Sequence, residues 1–250
     1  MTVFFNIAHT LGHGWASTPA RLVIAFVVTL AFALVAHLLQ GANRSGAVAG
    51  GLACFLLFIG TGPAGFLALA ALFLMTWAST RLGYHRKLAL GVAERSEGRS
   101  AKQILANLAI ASLASIAFSA TGNRAWLVAT LAALAEAAAD TVASEVGQHR
   151  GAQARLITTW QPVPAGTDGG ITLVGSIAAA AAGLTIAIVG AIGGALPLSH
   201  LWIPAAAGFL GMLIDSALGA TLQHRGWMSN EAVNFLSTLT AAILAFGVAP

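Results

Sequence analysis

The chain has 250 residues, of which 58% are hydrophobic and only 8% charged, where a soluble domain carries about 25% charged residues. With a mean hydropathy of +0.83, that deficit excludes a water-soluble globule and points to a protein that crosses a bilayer several times. The formal charge of +4 comes from 12 basic and 8 acidic residues, too few and too dispersed for nucleic-acid binding, and the single Cys54 rules out an intrachain disulfide or a cysteine metal cluster.

In chain order, residues 1–20 hold His9, His13, Trp15 and Pro19 and read as a short interfacial segment. No Lys or Arg precedes Arg21, so the segment lacks the basic start of a signal peptide. Residues 21–250 read as a single transmembrane domain. Apolar runs follow at Leu22–Leu39, Ala47–Ile59, Ala64–Thr80, Ile104–Ala120, Trp126–Val146, Ile171–Gly193, Trp202–Leu222 and Val233–Val248. A spanning helix needs about 20 residues, so the expectation is an all-α polytopic membrane bundle of about eight spans. Ala47–Ile59 is short and Gly-rich, compatible with a re-entrant or broken helix as well as with a full span.

Three connecting stretches are polar: Arg81–Lys102, Gly147–Gly170 and Gln223–Ala232. With eight spans all three fall on one side, and they carry most of the basic residues. The positive-inside rule then makes those loops cytoplasmic, with both termini outward, in the inner (plasma) membrane of a prokaryote. Trp126 and Trp202 begin their helices on the outer face, as interfacial anchors do.

The chain also repeats itself. Asp140-Thr-x-x-Ser-x-x-x-Gln-His-Arg-Gly returns at Asp215 as Asp-Ser-x-x-Gly-x-x-x-Gln-His-Arg-Gly, and a weaker copy near Thr76–Lys87 has Met75 in place of the acid. This suggests two or three parallel helix–loop–helix units, at about 64–121, 125–193 and 201–250. Sites in such folds lie at repeat interfaces.

Glu136, Asp140 and Ser144 stand at i, i+4 and i+8 and form one polar stripe on a helix. An Asp near the bilayer centre costs roughly 2.5–3.5 kcal/mol on insertion scales, so acids inside spans are functional candidates by default. Asp215 occupies the matching position in the second copy. Converging carboxylates are the hard-oxygen environment of Mg²⁺, which also keeps waters and substrate phosphates. The bland alternative is a set of protonated or hydrogen-bonded acids that lock helix packing.

The loop Pro162-Val-Pro164-Ala-Gly166-Thr167-Asp168-Gly169-Gly170 precedes a predicted helix. Backbone N–H groups at such a start bind phosphate, and Thr167 or Asp168 is expected to cap the helix. Asp168 would repel phosphate unless a metal bridges the two. Arg81, Arg86, Lys87 and Arg155 are candidates to neutralise phosphate, against the plainer reading that they set topology. His85, His149 and His224 share a repeat position. Asn107, Asn230 and Asn234 stand near helix starts, where capping is the default and ligand contact the alternative.

The motifs Thr80-Arg-Leu-Gly-Tyr-x-Arg-Lys87, Ala139-Asp-Thr-x-Ala-Ser-Glu-x-Gly147, Pro162-Val-Pro-x-Gly-Thr-x-Gly-Gly170 and Asp215-Ser-x-x-Gly-Ala-x-x-Gln223 resemble domain-of-unknown-function family ninety-two, an integral-membrane family that contains the plant phytyl-phosphate kinase of vitamin E synthesis. The resemblance runs from about Arg21 to the C-terminus. One departure is Val142, where many family members carry an aromatic.

The resemblance implies phosphoryl transfer from a nucleotide, CTP being the expected donor, to an isoprenyl monophosphate of the phytyl or geranylgeranyl type. It implies Mg²⁺ on Asp140, Glu145 and Asp215, with Glu136 as a further candidate from the stripe. Arg81, Lys87, Arg155 and the Gly166–Gly170 loop would hold phosphates, with Ser144 and Asn107 nearby. The rival readings are a cytidylyltransferase that leaves a CDP-lipid, and a transporter or lipid scramblase that uses its intramembrane acids. The expected partners are the isoprenyl-phosphate lipid, the nucleotide and the bilayer; a homodimer is compatible with the chain.

Overall fold

The computed structural model describes residues 19–94, 96–150 and 153–250. The expected interfacial segment, apart from residues 19 and 20, lies outside the described residues, as do Arg95 and Gly151. The helices are α1 (Pro19–Leu38), α2 (Arg44–Thr61), α3 (Pro63–Arg81), the short α4 (Tyr84–Ala89), α5 (Ala101–Thr121), α6 (Arg124–Arg150), α7 (Leu173–Ile192), α8 (Trp202–Leu218) and α9 (Asn230–Val248). Among the described residues, eight are long and apolar enough to cross a bilayer, α4 being the exception. Helices satisfy every backbone polar group internally, which hydrocarbon demands.

The second apolar run is one continuous helix, not a broken one. Asn43 starts α2 by accepting from the Gly46 N–H at 2.9 Å, and the helix runs to Thr61. Its glycines are contact surfaces, not breaks. A Cβ on Gly46 would meet the Arg99 carbonyl oxygen at 2.0 Å, and one on Gly60 would meet that of Ser115 at 2.4 Å. Small residues therefore let α2 and the chain entering α5 touch backbone to backbone.

Helix α6 is the central rod. It packs against α3, α5, α7, α8 and α9, and 78% of its apolar window is buried, against 17% for α1. Its run of buried alanines from Ala132 to Ala139 offers a smooth surface. Gly208 of α8 lies directly on the Ala135–Glu136 backbone. At the edge, α1 packs on α2 and turns Val23, Phe26 and Val27 outward. Arg21 is nonetheless buried, and its guanidinium donates to the Phe58 and Ile59 carbonyls near the C-terminus of α2.

The α1–α2 connector and all three polar loops gather at one end, as the eight-span reading requires. Ala42 bridges to Arg99, and the Asn43 N–H donates to the Arg99 carbonyl at 3.1 Å. The α6–α7 loop has more order than its composition indicates. It folds into a three-stranded antiparallel sheet, β2-β1-β3, from Ala154–Leu156 (β1), Pro162–Val163 (β2) and Gly170–Ile171 (β3).

The cap of α7 is Thr172, whose hydroxyl accepts from the Gly175 N–H at 3.0 Å. Thr167 and Asp168 do not cap, because β3 stands between them and the helix. The Thr167 hydroxyl instead donates to the Pro164 carbonyl at 2.8 Å.

Candidate functional site

A polar cavity of about 380 Å³ lies at the loop end, between α6, α8, α9 and the Gly166–Gly170 loop. Asp140, Ser144 and Gly147 line it as the expected stripe along α6, and Asp215 and Ser216 face it from α8. After Leu218 the chain makes a five-residue π turn, Gly219–Gln223, a feature that recurs at functional sites. The turn brings Gly219 and Gln223 onto the cavity wall. Three matched pairs of the suggested repeat, Asp140 with Asp215, Ser144 with Gly219 and Gln148 with Gln223, thus line the same cavity.

Two sequence motifs meet here. Gln223 Nε2 donates to Asp168 Oδ1 at 2.8 Å, which fixes the loop's acid on the second Asp motif. Gly169 has φ of +74°, and a Cβ there would fall 2.5 Å from both the Ala220 nitrogen and the Ser216 carbonyl oxygen. Glycine is required at this point on both counts.

The four acids expected to share one ion divide into separate environments. Asp140 makes no hydrogen bond to the protein among the described residues, and lies close enough to Arg99 and Asp215 for their charges to act on one another. Asp215 accepts from Ser237 Oγ at 3.1 Å. The Asn234 amide nitrogen also faces Asp215 Oδ2 at 3.3 Å and the Asn230 carbonyl at 2.9 Å, in the orientation its neighbours require. Glu145 lines the cavity but spends both oxygens elsewhere: one accepts from Thr80 Oγ1 at 2.9 Å, the other from Lys87 Nζ. Glu136 is 1% exposed, off the cavity wall, and neither of its oxygens has a hydrogen-bond partner.

Among the described residues no group of three His, Cys, Asp or Glu side chains is placed to hold a metal. An all-protein cage is therefore absent from them. Asp140 and Asp215 with phosphate oxygens and water are the kind of donor set that Mg²⁺ takes, through one or two carboxylates.

The expected phosphate-binding cations are dispersed. Lys87 is fully buried, and its ammonium also reaches the Ser79 and Thr80 carbonyls at 3.1 and 2.7 Å; it bolts α3 and α4 to α6. Arg155 sits on β1 and donates to the Trp160 carbonyl at 2.8 Å, away from the cavity. Arg81 stacks on Trp77 at 4.8 Å and donates to the Leu39 carbonyl at 2.6 Å. Among the described residues Arg99 is the cation on the polar wall, with five carboxylates: Glu94, Asp140, Glu145, Asp168 and Asp215.

Arg81 and Arg99 both line a second, larger cavity of about 680 Å³, enclosed by α1, α2, α3 and α5 and mostly apolar. Glu94, Arg99, Gln103 and Asn107 belong to both walls. The two spaces therefore meet at a polar threshold.

Asn107 was among the expected site residues, but Arg99 and Gln103 were not singled out by sequence reasoning. The signal present was the capping box Ser100-x-x-Gln103, in which Gln103 Oε1 accepts from the Ser100 N–H at 2.8 Å. It fixes where α5 starts, and so places Arg99 at the mouth. Asn107 is not a cap; its amide donates to the Gln103 carbonyl at 2.8 Å. Ser229, not Asn230 or Asn234, caps α9.

Relatives are spread across kingdoms. The chain is 35% identical over 198 residues to "Uncharacterized membrane protein sll0875" of Synechocystis, covering 77% of each chain. It is 29% identical over 258 residues to "Protein VTE6, chloroplastic" of Arabidopsis thaliana, covering 98% of this chain and 75% of the relative. It is also 29% identical over 229 residues to "Uncharacterized membrane protein MJ0933" of Methanocaldococcus jannaschii, covering 91% and 94%. No solved structure matches significantly. The profile of the family described as "Integral membrane protein DUF92" matches residues 27–242, and the chain belongs to that family.

Proposed function

We propose that the protein is a membrane-embedded kinase that transfers a phosphoryl group from CTP to an isoprenyl monophosphate. The observation that carries this reading is the meeting of an apolar cavity within the bundle and an acidic cavity at its loop end, at Glu94, Arg99, Gln103 and Asn107. An acceptor with an oily tail and a phosphate head spans that junction naturally. A second support is membership of the family that contains the plant phytyl-phosphate kinase. By the positive-inside rule the loop end faces the cytoplasm, where nucleotide is available.

Asp140 and Asp215 would hold Mg²⁺, which would supply charge neutralisation for the donor's phosphates. Without it, the Asp140 and Asp215 carboxylates would repel a nucleotide. The chain's own contribution is to position and to neutralise, as expected of phosphoryl transfer. Arg99 reaches the threshold between the two phosphates. The Gly166–Gly170 loop brings backbone close to the donor, pinned by Gln223. Ser237 and Asn234 orient the Asp215 carboxylate. No general base is required, because the acceptor is already a phosphate oxygen.

Purified protein in lipid nanodiscs, given CTP, Mg²⁺ and geranylgeranyl phosphate, should yield a lipid heavier by one phosphate, with CDP released. A lipid heavier by CMP would assign a cytidylyltransferase instead. Absence of any nucleotide-dependent product would remove the enzyme reading and leave transport as its replacement.

A further inference from the structure

The apolar cavity has an end. It runs along α3 from Arg81 at the mouth to Leu69, and along α1 to Phe32; no described residue of α3 before Leu69 or of α1 before Phe32 lines it. Phe32 is held edge-on by two other rings, with centroids 6.0 Å from Phe66 and 5.5 Å from Phe73. Phe66 in turn meets Phe58 edge-on, with centroids 6.1 Å apart. Such edge-to-face clusters resist displacement, so the inner end is a wall built of interlocked rings rather than one loose side chain.

We propose that this aromatic stop is a ruler that sets the length of the lipid tail, with Phe32 as its specificity-determining residue. The proposal rests on the kinase reading for the identity of the head group, but not for the length. Leu69 and Arg81 are twelve residues apart on one helix, a depth of about 18 Å at the helical rise. An extended chain advances about 1.2 Å per backbone bond, judged from the reach of a polypeptide. From Phe32 on α1 the lining runs eight residues to Gln40, about 12 Å, so the cavity accepts about ten to fifteen bonds, or three to four isoprene units, below a phosphate at the Arg81–Arg99 mouth. A much longer polyprenyl chain would have to leave the cavity sideways and lose its contact with the rings.

The same geometry names two variants with opposite effects. Phe32→Ala removes the stop and deepens the cavity by roughly one unit. Ala36 lines the same wall one turn nearer the mouth, so Ala36→Phe raises the floor and shortens the cavity by about one unit.

The test is binding of geranyl, farnesyl, geranylgeranyl, geranylfarnesyl and undecaprenyl monophosphates to the full chain in nanodiscs, without nucleotide. Bilayer hydrocarbon is as apolar as the cavity, so the tail is discriminated by how well it packs against the cavity wall, not by removal from water. Affinity should therefore be highest for the tail that fills the cavity, the geranylgeranyl compound, and drop at least about tenfold for the undecaprenyl one. The optimum should move up one unit in Phe32→Ala and down one in Ala36→Phe, and either shift alone suffices if one variant does not fold. Affinity that rises through undecaprenyl, or identical profiles in wild type and both variants, overturns the ruler. Turnover with CTP in the same series separates the claims. Length-graded binding without phosphoryl transfer defeats the kinase reading and keeps the ruler; transfer that ignores length does the reverse.

Discussion

The two halves of the bundle bury opposite chemistry. On one side α1, α2, α3 and α5 enclose an apolar cavity and bring cations only to its rim, among them Arg81 and Arg99. On the other side α6, α8, α9 and the α6–α7 loop enclose carboxylates, serines and amides, with one guanidinium among them. The first half is built of close backbone contacts at Gly46 and Gly60 and of phenylalanines packed edge to face. The second is built around an alanine rod that carries acids where a bilayer protein would otherwise carry leucine. The difference teaches that this fold keeps an apolar space apart from a charged one, the separation the proposed kinase would use for its two jobs of holding an oily tail and handling phosphate. It joins the two jobs at a threshold only a few residues wide.

The Lys87–Glu145 pair is the joint between the halves, and removing one partner should have the largest effect on stability. Lys87→Met leaves a buried carboxylate without its charge partner. It should cost about 3–5 kcal/mol, read as a lowered melting temperature in detergent. The double variant Lys87→Met with Glu145→Leu should recover much of that loss. A neutral single variant would show that the halves do not depend on this bolt.

Within the acidic half, Asp140→Asn and Asp215→Asn should each lower the rate of transfer by roughly a hundredfold or more, the scale for losing a preorganised electrostatic group. The folded yield in detergent should be unchanged. Asp215 has its own hydrogen bonds from Ser237 and Asn234, so Ser237→Ala should reproduce a fraction of the Asp215 effect.

Gly169→Ala comes next. The added methyl meets backbone of the Asp215 motif at a positive φ, and should cost about 1–3 kcal/mol. It should appear mainly as a raised KM for CTP, since it unseats the loop rather than the acids. The smallest effect belongs to Arg155→Ala, within about 0.5 kcal/mol in stability and with unaltered kinetics, because among the described residues the guanidinium bonds only within its own hairpin. A tenfold loss of activity there would move the phosphate site out of the cavity described.

Much of the acidic half is legible in the sequence. Asp140, Ser144 and Gly147 share a helical face by spacing alone, and the repeated Asp–Gln motif points to where Asp215 belongs. What the pattern does not reveal is long-range pairing. Lys87 and Glu145 are separated by 58 residues, and no local rule distinguishes a bolt from a ligand. The apolar half is almost silent, because residues that line a cavity and residues that face lipid are equally hydrophobic. The glycines of α2 left span and broken helix undecided for a related reason: glycine weakens an isolated helix, but in a bundle it is also what allows close approach. The short strands of the α6–α7 loop escape detection because they are two or three residues long.

The division of labour is tested most directly by measuring two affinities on one variant, Asp140→Asn, in nanodiscs with Mg²⁺ present: one for CTP and one for geranylgeranyl phosphate. The account predicts that CTP binding is lost while the lipid binds as in wild type. Retention of both, or loss of both to the same degree, would contradict it.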